Sequence, residues 1–149
     1  MAGNNFMELA LDEARAASGR GEVPVGAVVV RGGDVVAKAG NRTLADRDPT
    51  AHAELLVIRE ACKVLGNRAL TECDLYVTLE PCPMCAQGIA QARLRRLYFG
   101  AADPKRGGVE HGPRIFSQPS CHHQPEIYGG LAAEEAARLL RDFFQARRG

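Results

Sequence analysis

Four side chains carry groups that could do chemistry together. His52 and Glu54 lie in Thr50-Ala51-His52-Ala53-Glu54, and Cys82 and Cys85 lie in Leu79-Glu80-Pro81-Cys82-Pro83-Met84-Cys85. One imidazole and two thiolates are three good ligands for Zn²⁺, one ion per chain. A catalytic zinc keeps three protein ligands and an open fourth position, whereas a structural zinc closes it. Glu54 is then a carboxylate left over, free to move protons between water, substrate and leaving group. Zinc held this way is a Lewis acid that lets water ionise near neutral pH. A lone Cys-x-x-Cys could equally be a redox dithiol, and a zinc-stabilised or redox module is the non-enzymatic alternative. That alternative explains neither Glu54 nor the missing fourth ligand.

The elements that must position these groups follow from the spacing. Pro83 suits the first position of a helix, where its missing N–H costs nothing. Cys82 is then the N-cap and Cys85 sits one turn in, with the free amides and dipole of the helix end favouring thiolate. Residues two apart do not share a helix face, so His52 and Glu54 converge only at the end of a helix. Asp48-Pro49-Thr50 reads as its start, Leu55, Ile58, Cys62 and Leu65 follow at helical spacing, and Gly66 ends it, giving a helix from about Ala51 to Leu65. Two helix N-termini should aim at one metal.

The remaining chain reads as alternating strands and helices. Phe6, Leu9, Ala10, Ala14 and Ala17 predict a first helix, with Asn5 and Glu8 as a capping pair and Gly19 as its stop. Val23 to Val30 is an apolar run expected of a doubly buried strand, and Gly32-Gly33-Asp34 turns it into a hairpin with Val35 to Ala39. Asn41, just after, could be a turn residue or a pocket residue. Asp74 to Leu79 and Leu97 to Gly100 are predicted strands, joined by a helix kept thin by Ala86, Gly88, Ala90 and Ala92 for close packing on a sheet. A strand–helix–strand unit of this kind implies a parallel pair. Ala101 to Gly130 reads as loop, and within it Asp103 to Gly108 is either near a substrate or a solvated turn. Cys121-His122-His123 reads as structural, because three adjacent residues share one ion poorly. A last helix begins near Leu131, with Ala132, Ala136, Leu139, Leu140 and Phe143 on one face and Arg138, Arg141 and Arg148 on the other.

Length and composition bound the classes. The 149 residues suit one domain with a sizeable core, and 46% hydrophobic with 25% charged residues is ordinary for a globular protein. No apolar run approaches about 18 residues, so no membrane span is expected, and the N-terminus lacks a signal-peptide pattern. Cys62, Cys73 and Cys121 are expected to be reduced in a cytoplasm, two or more of them buried. The net charge of +1 announces no nucleic-acid binder globally, so local placement of the arginines must decide.

The form His52-x-Glu54…Pro81-Cys82-x-x-Cys85 is the signature of zinc deaminases acting on nucleobases. With Glu22 to Val28, Asp48 to Glu54, Leu75 to Cys82 with Met84-Cys85, and the ending Asp142-Phe143-Phe144 with Arg147-Arg148, the chain resembles the bacterial tRNA adenosine deaminases from about Phe6 to Arg148. The resemblance implies a cytidine-deaminase-like three-layer α/β/α fold with a five-stranded mixed sheet, and a homodimer. It implies that His52, Cys82 and Cys85 hold zinc and that Glu54 shuttles protons. Asn41, Ala53, Pro24 and Pro81 would meet the adenine. Asp103, Phe144, Arg147 and Arg148 would face a tRNA anticodon stem-loop, where adenosine becomes inosine at the wobble position, an arginine tRNA being the expected substrate. Ala61 to Gly66 and Pro81 to Cys85 also resemble bacterial guanine deaminases, which tend to have Pro-Phe-Gly where this chain has Pro24-Val25-Gly26. A free-base guanine deaminase is the alternative.

Overall fold

The computed structural model describes the backbone of residues 2–148 and the side chains of residues 5–147. Its centre is a five-stranded mixed sheet in the order β2-β1-β3-β4-β5. Strands β1 (Gly26–Arg31) and β2 (Asp34–Gly40) form an antiparallel hairpin, and β1 also runs antiparallel to β3 (Cys73–Leu79). Strand β4 (Arg96–Ala101) lies parallel to β3, and β5 (Glu126–Gly129) parallel to β4. Helices α2 (Ala53–Leu65) and α3 (Pro83–Ala92) pack on one face through Val57, Ala61, Ala86 and Ile89 against Val29, Leu75, Val77 and Leu97. On the other face, α1 (Ala2–Gly19) covers Val28, Val30 and Tyr76 with Met7 and Ala10, and α4 (Ala133–Arg148) closes the layer with Ala136 against Leu11 and Ala101. The three-layer α/β/α arrangement and mixed sheet expected from the resemblance are present.

The hairpin turn shows why glycine is needed there. Gly32 and Gly33 have φ of 56° and 86°, the pair of positive angles that a two-residue turn matched to strand twist requires. Of the small residues expected to keep α3 thin, Ala86, Ala90 and Ala92 are buried in the core shared with the sheet, as expected, whereas Gly88 faces α2. A Cβ on Gly88 would stand 2.6 Å from Leu55 Cδ2, so its smallness serves the α2–α3 contact rather than the sheet.

Several boundaries differ from the sequence expectations. The first helix is already formed at Asn5, so Asn5 and Glu8 do not cap it. Strand β1 starts at Gly26 rather than Val23, because Pro24 has no N–H for a ladder and the Val25 amide turns back onto Val23 O at 2.8 Å. Helix α2 begins two residues late: Asp48 is used up in a local turn that accepts from Thr50 N (2.8 Å) and Oγ1 (2.7 Å). The stretch read as loop hides β5 and a short 3₁₀ turn, Ile115–Ser117; four residues on a sheet edge are too few to show a period. Helix α4 begins at Ala133, and Ala132, at φ 54°, is exposed instead of on the buried face. Of the three spare cysteines only Cys73 is fully buried. No helix among the described residues is long and apolar enough to cross a membrane.

Candidate active site

The two helix N-termini do meet. His52 is the N-cap of α2 and Cys82 the N-cap of α3, both with extended backbones. His52 Nδ1 stands 3.4 Å from Cys85 Sγ and 3.7 Å from Cys82 Sγ. The three donor atoms lie within 4.8 Å of one another, and no other group of at least three such ligands exists among the described residues. Bonds of about 2.0–2.3 Å at tetrahedral angles place donors roughly 3.5 Å apart, so the group fits zinc. Its chemistry agrees: the hydrogen bond from Cys85 and the neighbouring His52 hold the Cys82 thiol down at about 4, as a thiolate. Cys85, donating that bond from a buried position, is pushed up and keeps the proton that a metal ion would displace. The bond to Cys82 raises His52.

Glu54 lies in the first turn of α2, buried, beside the ligands but outside their cluster. Burial, aided by the Cys82 charge, raises its carboxyl to about 7, against the opposing pull of its own amide and of His52. A carboxyl near neutrality can give or take a proton at physiological pH.

Asn41 is more than a turn residue. Its Oδ1 accepts the first amide of α2, Ala53 N, at 2.8 Å, doing the work that the N-cap His52 side chain does not. The Ala53 amide is therefore engaged with Asn41 Oδ1, and Nδ2 is the remaining donor of that side chain. Pro24 and Pro81 are buried, the first just before β1 and the second in the turn before α3.

Two buried acids were not singled out by spacing. Glu22, 1% exposed, accepts from Thr43 Oγ1 (3.3 Å), Leu44 N (3.1 Å) and Ala45 N (2.9 Å), fixing the segment that leads to His52. Glu80, 2% exposed, accepts from the amides of Asp103 (3.0 Å), Val109 (3.2 Å), Glu110 (2.8 Å) and His111 (3.1 Å), and pairs with His111 Nδ1 at 2.8 Å. Their only sequence signal was adjacency to the motifs, since the partners are 21 to 31 residues away.

The outer residues are dispersed. Asp103 sits in the loop held by Glu80 and caps it by accepting Arg106 N at 3.0 Å. Phe144 is exposed and stands edge-on to Phe143. Arg147 is folded onto the protein, its guanidinium 3.7 Å from the Phe143 ring and 3.4 Å from Gly21 O; Arg148's side chain lies outside the described residues. Cys121 and His123 bond inward, to His123 O and Leu94 O, in keeping with a structural role. A recess of about 440 Å³ on the outer flank of α3, lined by Arg68, Gln87, Arg93 and His122 among others, contains none of the ligands.

The comparisons agree with this geometry. Residues 2–101 match the family described as the cytidine and deoxycytidylate deaminase zinc-binding region. A tRNA-specific adenosine deaminase of Agrobacterium fabrum is 60% identical over 97% of this chain and 95% of its own length. A solved structure from studies of A-to-I editing by tRNA:A34 deaminases at the wobble position superposes with TM-score 0.90 at 61% identity, covering 91% of this chain and 99% of that one. A guanine deaminase of Bacillus subtilis aligns at 32% identity and TM-score 0.66, over 97% and 92% of the two chains. The chain therefore belongs to the zinc-binding cytidine and deoxycytidylate deaminases and, within them, to the family of tRNA-specific adenosine deaminases.

Proposed function

We propose that this chain, read as one deaminase domain, is a zinc-dependent hydrolase that converts adenosine to inosine at the wobble position of a tRNA anticodon loop. The observation that carries the reaction type is the convergence of His52, Cys82 and Cys85 beside a buried Glu54 near neutrality. The adenosine substrate is supported by the 60% identical tRNA-specific relative, against 32% for the guanine deaminase.

His52, Cys82 and Cys85 would hold the ion, which supplies Lewis acidity and a readily ionised water. Glu54 takes one proton from the attacking water and delivers it to the purine ring nitrogen; it then takes the second proton from the resulting C6 hydroxyl and gives it to the amino group, which leaves as ammonia as the C6–N bond breaks and the carbonyl forms. Asn41, anchored through Oδ1, offers Nδ2 to the base and fixes its orientation. Loop bases suit such a pocket because they are already unstacked. Asp103, Phe144, Arg147 and Arg148 are the residues proposed to meet the anticodon stem-loop. Phe144 is exposed for stacking, whereas Arg147 must leave Phe143 and Gly21 to reach a phosphate. A cytoplasmic homodimer is the proposed state, checked by light scattering in solution.

The test is nucleoside mass spectrometry after incubating zinc-loaded protein with unmodified arginine tRNA bearing an ACG anticodon, with free guanine in parallel. Inosine confined to the wobble position is the expected result. Xanthine from guanine with untouched tRNA overturns the substrate while keeping the metal chemistry. A second check is salt: tRNA affinity should fall as salt rises, whereas neutral guanine should show little change.

A further inference from the structure

Glu80 is a fully buried carboxylate surrounded by donors from one distant loop. Four backbone amides and one imidazole converge on its two oxygens. Such a hub fixes a loop in one conformation, and nothing in the reaction uses Glu80 itself.

What that loop touches gives the hub its meaning. Gly108 donates its amide to Pro81 O at 2.8 Å, and Ile115 N donates to Gly108 O at 2.8 Å. A Cβ on Gly108 would lie 2.6 Å from Pro83 N and 2.9 Å from the Cys82 carbonyl carbon. The loop backbone is thus pressed directly on the peptide that joins a metal ligand to its helix. Gly107, beside it, is equally crowded by the Glu80 carboxylate and Asp103 O. Pro81 and Pro83 stiffen the turn from within; the loop closes it from outside.

We propose that Glu80 is a positioning residue for the metal-ligating turn: it clamps the 103–111 loop so that Gly108 braces the Cys82–Pro83 peptide and sets the direction of the Cys82 sulfur. The proposal rests on Cys82 being a zinc ligand. Partners one step removed from metal ligands commonly change metal affinity or activity by about 10–100-fold when altered, and Glu80 acts at the same remove, through backbone rather than through a ligand side chain.

The experiment uses full-length protein loaded with Co²⁺, whose visible and thiolate charge-transfer bands report ligand geometry, together with zinc affinity by chelator competition. Glu80→Gln cannot accept all five donors. Gly108→Ala leaves the carboxylate untouched and disturbs only the brace. Both variants should keep the thiolate band but shift the visible bands, weaken zinc about 10-fold or more, and lower kcat per bound metal. Gly108→Ala also guards against Glu80→Gln failing to fold. If the variants melt at lower temperature while the cobalt spectrum and zinc affinity match the unaltered protein, Glu80 is a loop anchor only and the proposal is overturned. Absence of a thiolate band in the unaltered protein overturns the ligand assignment beneath it instead.

Discussion

The turn that carries His52 and the turn that carries Cys82 look alike, since each is the N-cap of a helix and each has a buried glutamate behind it. They are braced from opposite directions in the sequence. The His52 turn is held by residues upstream of it: Glu22 fixes residues 43–45, and Asn41 caps α2 through the Ala53 amide. The Cys82 turn is held by residues downstream of it, in the loop that Glu80 gathers from Asp103 to His111 and lays against Pro83. One brace lies in the chain that leads into the ligand, while the other lies beyond β4, in the loop that follows it. A metal site of two short motifs therefore draws its braces from both directions of the chain, from before one motif and from after the other.

The largest effect should come from the feature that only the His52 turn carries. Glu54→Gln should lower inosine formation by about 10²–10⁴-fold with zinc content unchanged, measured by mass spectrometry and metal analysis. Loss of zinc with it would make Glu54 part of the metal cradle and erase that difference between the turns. Asn41 sharpens the same side. Asn41→Asp keeps an oxygen for the Ala53 amide but removes the Nδ2 donor, so turnover should fall while stability stays near that of the unaltered protein. Asn41→Ala should cost about 0.5–2 kcal/mol for the lost cap, read from urea midpoints.

The bracing acids are separable by stability. Glu22→Gln should cost about 1–3 kcal/mol at pH 7, because buried amides lose a charged acceptor. The Glu22 pKa is lowered: burial opposes this, but the Ala45 and Leu44 amides, Thr43 and Arg20 prevail. A lowered folded pKa means stability present above the unfolded value of about 4.3 and lost as pH falls through the folded one. The gap between the unaltered protein and Glu22→Gln should thus close below about pH 4 in urea titrations. If the two braces are independent, the costs of Glu22→Gln and Glu80→Gln should add within about 0.5 kcal/mol; a larger coupling would mean the turns are braced as one unit. The smallest effect is local to α2: Gly66, at φ 65°, caps its C-terminus, and Gly66→Ala should cost about 1 kcal/mol with the site untouched.

Much of the site is legible in the residues alone. The ligand set, the leftover Glu54 and the proline-started helix are readable because zinc chemistry restricts residue types and helix ends restrict spacing. The hairpin and the parallel β3–β4 pair follow from apolar runs and glycine turns. The fifth strand is not readable, because Glu126–Gly129 is a short, largely exposed edge with no period to detect. Nor is the fate of the C-terminal arginines: whether Arg147 points outward or lies on Phe143 depends on where α4 docks against the rest of the chain.

The sequence by itself determined the reaction class, since three soft and borderline ligands with one spare carboxylate admit few other uses, and such residues sit close together within each motif. Tertiary structure alone decided which groups hold those motifs in register. Glu80 and Gly108 are neighbours only because a loop beginning more than twenty residues after Glu80 folds back to bury its carboxylate among backbone amides. Backbone donors are carried by nearly every residue type, so no residue type could mark them in advance.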